Sequence, residues 1–288
     1  MRESRVMLDR GLIIPIVLTT ALCMTIGDAR AFDNGLYPTW SGGWTRVRDG
    51  KKHGNWDPEK PRGLAQQAPL TPEYQARYEA NLADQERGGQ GENPGYSCQP
   101  HGMPRIMNGD HPLFFAVTPE TTYIMRDITN QFRRIYTDGR DWPARLQHSA
   151  NGYSIGKWID DDGAGRYDTL MIETRALKNP HSYDSSGLPF HEDDAAVIKE
   201  RLFVDKTDPD LMLNEITVID HALTRPWTVT RTYRHVPDAK WLEYVCAEDN
   251  HHVVIGKEDY LVSQDHFLMP AQKDQKPPDL RNFDQSRK

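Results

Sequence analysis

An all-β fold is predicted for this chain, on three observations. From Leu113 onward, apolar and polar residues alternate with the two-residue period of half-buried strands, in short runs parted by Gly, Asp, Pro and Ser turns. Only the segment after Leu70 carries a helical period. The strand-like runs follow one another with no helix between them, which favours an antiparallel meander over a parallel sheet. About nine such runs suffice to close, or nearly close, a barrel. The expected architecture is a lipocalin-like antiparallel barrel with an N-terminal arm and one packed helix. A two-sheet β-sandwich is the alternative.

The elements follow in chain order. Met1 to Arg10 carries Arg2, Arg5 and Arg10; Leu12 to Ile26 is almost unbroken apolar sequence; Ala29-Arg30-Ala31 offers small residues for cleavage. This reads as a signal peptide over 1–31, cut after Ala31, and hence as a periplasmic or secreted protein with no membrane span after processing. Pro15 and the short apolar run argue against an uncleaved anchor, and Leu22 before Cys23 argues against a lipoprotein signal. Residues 32–69 form an extended arm punctuated by Trp40, Trp44 and Trp56, with one short strand at Trp44–Val47. Three tryptophans imply that the arm packs on the body. Residues 70–260 hold the helix and the barrel. Thr71 is the helix N-cap, Pro72 takes the first helical position, Tyr74, Tyr78 and Leu82 form the docking stripe, and Gly88-Gly89 stops it. The expected strands are Leu113–Val117, Thr122–Arg126, Gln131–Thr137, Tyr153–Ile159, Tyr167–Thr174, Val197–Asp205, Met212–Asp220, Trp227–Val236 and Leu242–Cys246. Residues 261–288, rich in Lys, Asp and Pro, are expected to be a flexible tail.

Composition narrows the function classes. Hydrophobic residues make up 37% of the chain and its net charge is -7, with a mean hydropathy of -0.74. A mildly acidic, soluble surface is a poor match to the nucleic-acid backbone. Cleavage after Ala31 removes Cys23 and leaves Cys98 and Cys246. In an oxidising compartment the simplest outcome is one disulfide, worth about 4 to 5 kcal/mol for a loop of roughly 150 residues. A reactive thiol is the alternative.

Strand parity nominates interior charges. Arg231 shares its face with Trp227, Val229 and Tyr233; Glu200 shares its face with Ile198, Leu202 and Val204; Arg134 lies between Phe132 and Tyr136. A charge on an apolar face is costly unless paired. Ion pairs near the barrel rim are the plainer explanation of the same pattern.

Six segments, in this order, carry a resemblance: Ser97-Cys98-Gln99-Pro100-His101-Gly102-Met103-Pro104-Arg105, Phe132 to Arg140, Gly152-Tyr153-Ser154-Ile155-Gly156-Lys157-Trp158, Asp168 to Thr174, Arg225-Pro226-Trp227-Thr228 and Glu243-Tyr244-Val245-Cys246. As a set they resemble a large group of exported bacterial proteins, met in proteobacteria and acidobacteria that degrade aromatic compounds, terpenoids and other plant-derived material. The resemblance spans about Pro69 to His252. It implies an exported, β-rich domain and not a particular reaction. One departure is Val197, where relatives are associated with a histidine ahead of the Glu200-Arg201 pair.

The chain holds no Walker loop, dinucleotide fingerprint, G-x-S-x-G elbow or H-E-x-x-H, so no organic cofactor is expected. Glu248-Asp249-Asn250-His251-His252 follows Cys246, and a Cys98–Cys246 bond brings His101 to the same end. His101, Glu248 and His251 are weak candidates for a divalent metal, against a solvated polar loop as the alternative. His181, Tyr183, Asp184 and His191-Glu192-Asp193-Asp194 lie in a long loop, where binding residues concentrate. Calcium at Glu192–Asp194 would lack an EF-hand spacing. His148 and Tyr153 flank a third loop, and Arg105 is the candidate anchor for an anion or carbonyl. The candidate catalytic set is His101, Arg105, Arg134, Glu200 and Arg231, with Glu or His carrying the proton and Arg stabilising the oxyanion. The function expected is a cofactor-independent lyase, isomerase or hydratase acting on a small apolar or aromatic natural product. The alternative is a non-catalytic carrier of such a compound. An accessory role in an envelope complex, suggested by the tryptophan-rich arm, ranks third.

Overall fold

Period-two patterning has produced a closed barrel. The computed structural model describes residues 35–47, 56–57, 59–60, 68–108 and 111–246, and the backbone of three short strands between 252 and 269. The signal-peptide reading and most of the expected tail lie outside these residues. Among the described residues, no helix is long and apolar enough to cross a membrane.

The barrel strands are β1 (Gly43–Arg46), β2 (Leu113–Val117), β3 (Thr121–Arg126), β4 (Gln131–Tyr136), β5 (Tyr153–Ile159), β6 (Thr169–Arg175), β7 (Val197–Val204), β8 (Leu211–Ile219) and β9 (Trp227–Val236), each beside its sequence neighbour. Closure comes from the arm. β1 pairs antiparallel with β2 through Trp44 and Leu113, and with β9 through Trp44 and His235. The expected ninth strand at Leu242–Cys246 does not form. Its apolar residues find no face to cover: Leu242 and Val245 stay exposed. A second difference is that β4 and β5 pair in parallel, Ile135 opposite Ser154. The long 137–152 connection supplies the crossover that a parallel pair requires. Beyond the barrel, β10 (His252–Ile255), β11 (Glu258–Val262) and β12 (Leu268–Met269) make a small antiparallel sheet.

Alternation fills the barrel. Ile135, Leu170, Ile198, Leu202, Met212 and Ile216 are all fully buried, each contributing about 1.5 to 3 kcal/mol by leaving water. The arm tryptophans join this core. Trp40 packs against Phe115 and Trp158 at ring distances of 5.3 and 5.0 Å. Trp56 is wholly buried against Tyr183 and Trp227. The arm's aromatics are therefore spent on its own barrel, which removes the observation behind an envelope-complex role.

The helix α1 (Pro72–Glu86) starts as its sequence dictates: the Thr71 side chain caps the amide of Tyr74, and Pro72 needs no hydrogen bond there. Tyr74 and Tyr78 bury as expected, Leu82 only in part, and Asn81 unexpectedly buries with them. Cys98 and Cys246 form the expected disulfide, with Cα atoms 5.7 Å apart and a sequence separation of 148.

Candidate functional site

Inside the barrel, the interior charges are Arg133 and Glu200, not Arg134. Along β4, Gln131, Arg133 and Ile135 point inward, while Phe132 and Arg134 are exposed. Arg134 lies outside against the rings of Tyr123 and Tyr136, 5.8 and 5.9 Å from their centroids. Arg133 meets Glu200 through two N–H groups, one of them on Oε1 at 3.0 Å. It also donates to Ser154 Oγ at 3.3 Å and Thr174 Oγ1 at 2.8 Å. Asn214 Nδ2 donates to Glu200 Oε1 at 2.9 Å. Both carboxylate oxygens are thus engaged in a sealed pair, which makes Glu200 a structural anion and a poor proton carrier.

A second polar group gathers around the 3-10 turn Arg105–Asn108, which is buried throughout. Arg231 donates to the carbonyl of Trp56 and to Asn108 Oδ1, the latter at 2.6 Å. Arg46 reaches the same oxygen at 2.7 Å. Arg126 donates to the Ile106 carbonyl at 3.1 Å, and Tyr233 Oη to that of Met107 at 2.7 Å. Burial lowers Arg126 and Arg231 to about 10. His101 is pushed down to about 3, first by burial and then by Arg105 and Arg126. Its imidazole is neutral at any ordinary pH. Of the sequence candidates, the structure brings His101, Arg105 and Arg231 to this turn. Glu200 belongs to the barrel network and Arg134 to the outer wall.

Arg105 connects this cluster to an open cleft. Its Nη1 donates to Asn93 Oδ1 at 2.6 Å and Ser182 Oγ at 3.3 Å. Residues 90–99, after α1, form one wall of the cleft and residues 179–192 the other; it has a volume of about 560 Å³. Pro94, Pro180, Pro189 and Phe190 give it a stiff apolar lining, and Arg77 stands at its edge, held by Glu92 and Glu192 at 2.7 and 2.6 Å. Asn81 on α1 ties the walls together. Its amide donates to the carbonyls of Ser186 and Gly187 at 2.8 and 3.0 Å, and its oxygen accepts from Glu92 N at 2.5 Å. Gly187 must be glycine: φ is +72°, and a Cβ would stand 2.1 Å from Asn81 Nδ2.

His181 lies in the cleft wall, 5% exposed, with its ring 4.2 Å from that of Phe190. Its Nδ1 lies 3.2 Å from the Lys178 carbonyl, and a carbonyl only accepts, so Nδ1 carries the proton and Nε2 the lone pair. Nε2 has no partner among the described residues. Burial lowers this imidazole to about 4. The sequence names His181 among the residues of this binding loop, but no periodicity encodes an orphaned ring nitrogen.

The metal candidates fare differently. Glu248 and His251 lie outside the described residues. Within them, His191, Asp193 and His221 bring their ligand atoms within 4.8 Å of one another. These atoms already engage each other: Asp193 lies 2.5 Å from His221 Nδ1 and 3.1 Å from His191 Nδ1. The carboxylates considered for calcium part ways. Glu192 holds Arg77, Asp193 the histidines, and Asp194 the amide of Asn179 at 2.8 Å. No protein-family model matches the chain, and no curated protein matches it.

Proposed function

We propose that this protein is an exported binder of a small, largely apolar ring compound, held in the cleft between residues 90–99 and 179–192. The cleft itself carries the reading: about 560 Å³, within the size range of small-molecule sites, with a rigid apolar wall and a few placed polar groups. The lumen, where a lipocalin-like carrier would hold its ligand, is occupied by the Arg133–Glu200 network and its aliphatic neighbours. The mouth of the barrel therefore replaces the lumen as the site.

The acid/base enzyme is the second reading, and it now rests on different groups. Two neutral imidazoles, His101 and His181, flank the Arg105–Ser182 link, and a neutral imidazole is the resting form of a general base. Arg134, Glu200 and Arg231 drop out of that role. Titrating the mature protein with the fluorescent probe 2-naphthol tests the binding reading. Saturable one-to-one binding, weakened severalfold by Phe190→Ala, is expected. No saturable binding of 2-naphthol, or binding indifferent to Phe190→Ala, overturns it. Turnover of a ring compound that disappears in His181→Gln would move the assignment to the enzyme.

A further inference from the structure

We propose that His191, Asp193 and His221 form a binding site for a zinc-type divalent metal ion, independent of what the cleft holds.

The site is made where two connections meet. His191 and Asp193 stand two residues apart between β6 and β7, and His221 lies in the turn between β8 and β9. Among the described residues, their ligand atoms form a group all within 4.8 Å of one another. Both imidazoles address one carboxylate: His191 Nδ1 lies 3.1 Å from Asp193 Oδ1, and His221 Nδ1 lies 2.5 Å from Oδ2. A tetrahedral ion with bonds of about 2.0 to 2.2 Å holds its ligand atoms about 3.2 to 3.6 Å apart, so small side-chain rotations admit one. Without the ion, protons on the rings serve the same contacts, and binding releases them.

The backbone holds this convergence in place. Buried Asp220 accepts from the amides of both His191 and Ala222 through Oδ1, at 3.0 and 2.9 Å, which fixes the two connections to each other. The turn is also tied to the residues before α1: Thr71 N donates to the Ala222 carbonyl at 2.8 Å, and Thr224 N to that of Pro69 at 2.7 Å. The His191 ring lies 5.3 Å from that of Tyr74 on α1, and Asp193 Oδ1 accepts the Ala195 amide at 3.0 Å. Partners of this kind orient metal ligands. Arg77, the cation bonded to Glu192, is neutralised by that residue and Glu92. The donor set selects the ion. Two imidazoles and one carboxylate suit zinc and its neighbours, whereas calcium and magnesium prefer oxygen alone. Three protein ligands leave the remaining coordination to water, on the side where His221 is exposed.

The test uses the full, untagged mature chain, stripped with EDTA, dialysed and titrated with Zn2+. One equivalent should bind, raise the unfolding temperature and resist competition by excess Ca2+ or Mg2+. His221→Ala and Asp193→Ala should each weaken zinc binding by more than about tenfold. The His221 side chain is 72% exposed, so its loss should leave the metal-free unfolding transition in place. His148→Ala, at an exposed histidine elsewhere, should bind zinc as wild type does. No bound equivalent, binding that Ca2+ displaces, or binding indifferent to both ligand substitutions overturns the inference. So does an equal loss in His148→Ala.

Discussion

Arg133 and Glu200 show how a barrel keeps charge inside. Their side chains are 1% and 0% exposed, and every Glu200 oxygen has a donor. Such a pair adds little net stability as a whole, because desolvation offsets most of the attraction, but breaking it strands a charge. Glu200→Gln or Arg133→Met should each lower unfolding stability by about 3 to 5 kcal/mol. The double change Arg133→Met with Glu200→Leu should recover most of that loss. Arg134→Ala, one residue away on the exposed face, should move stability by less than about 0.5 kcal/mol. Urea unfolding of the four variants decides the matter; equal losses at 133 and 134 would put the wrong arginine inside. The sequence misled at β4 because Phe132 and Tyr136 look like core residues and bracket Arg134. They lie outside, where aromatic rings and a guanidinium stack in solvent. Ile135, fully buried, was the better guide to parity. On β7 and β9 the apolar neighbours of Glu200 and Arg231 were aliphatic or continuous, and their faces were legible.

At the scale of elements, α1 acts as a clamp. Its expected stripe docks it, but the link to the cleft is Asn81, a polar residue that periodicity cannot distinguish from a surface one. Asn81→Ala removes three buried or half-buried hydrogen bonds to both cleft walls. The expected cost is about 1 to 3 kcal/mol, with a severalfold loss of 2-naphthol affinity that exceeds any loss in an exposed α1 control such as Glu79→Ala. An Asn81→Ala protein that binds as tightly as wild type would show that the cleft walls hold their spacing without the helix. Strand existence was legible almost everywhere because alternation is local. The identity of the closing strand was not, since closure joins β1 at Gly43 to β9 at Val236, far apart in the chain. Within the local pattern, Leu242–Cys246 looked as strand-like as Gly43–Arg46.

For the whole molecule, the most legible long-range fact was the pairing of Cys98 with Cys246, one bond across 148 residues. The cleft was the least legible, because it is made where two loops meet, and only the buried histidine inside it leaves a global signature. His181 is held near 4 against an ordinary value of 6.5, through burial; His101, partly exposed, is held near 3 by burial and by Arg105 and Arg126. The unfolded chain takes up these protons around its ordinary value, while the folded protein resists them until much lower pH. Between those values the unfolded state binds more protons, so stability falls as pH falls, by up to about 1.4 kcal/mol per pH unit for a fully buried group. Both His181 and His101 should contribute to that slope. Asp57 and Asp220, raised by burial, act in the opposite sense just above their ordinary range, so the comparison belongs between variants that share them. Chemical unfolding from pH 6.5 to 4.5 should show a clearly flatter pH dependence for His181→Gln than for wild type, and flatter still with His101→Gln added. An unchanged slope would mean that the folded cleft accepts the proton as readily as the open chain does.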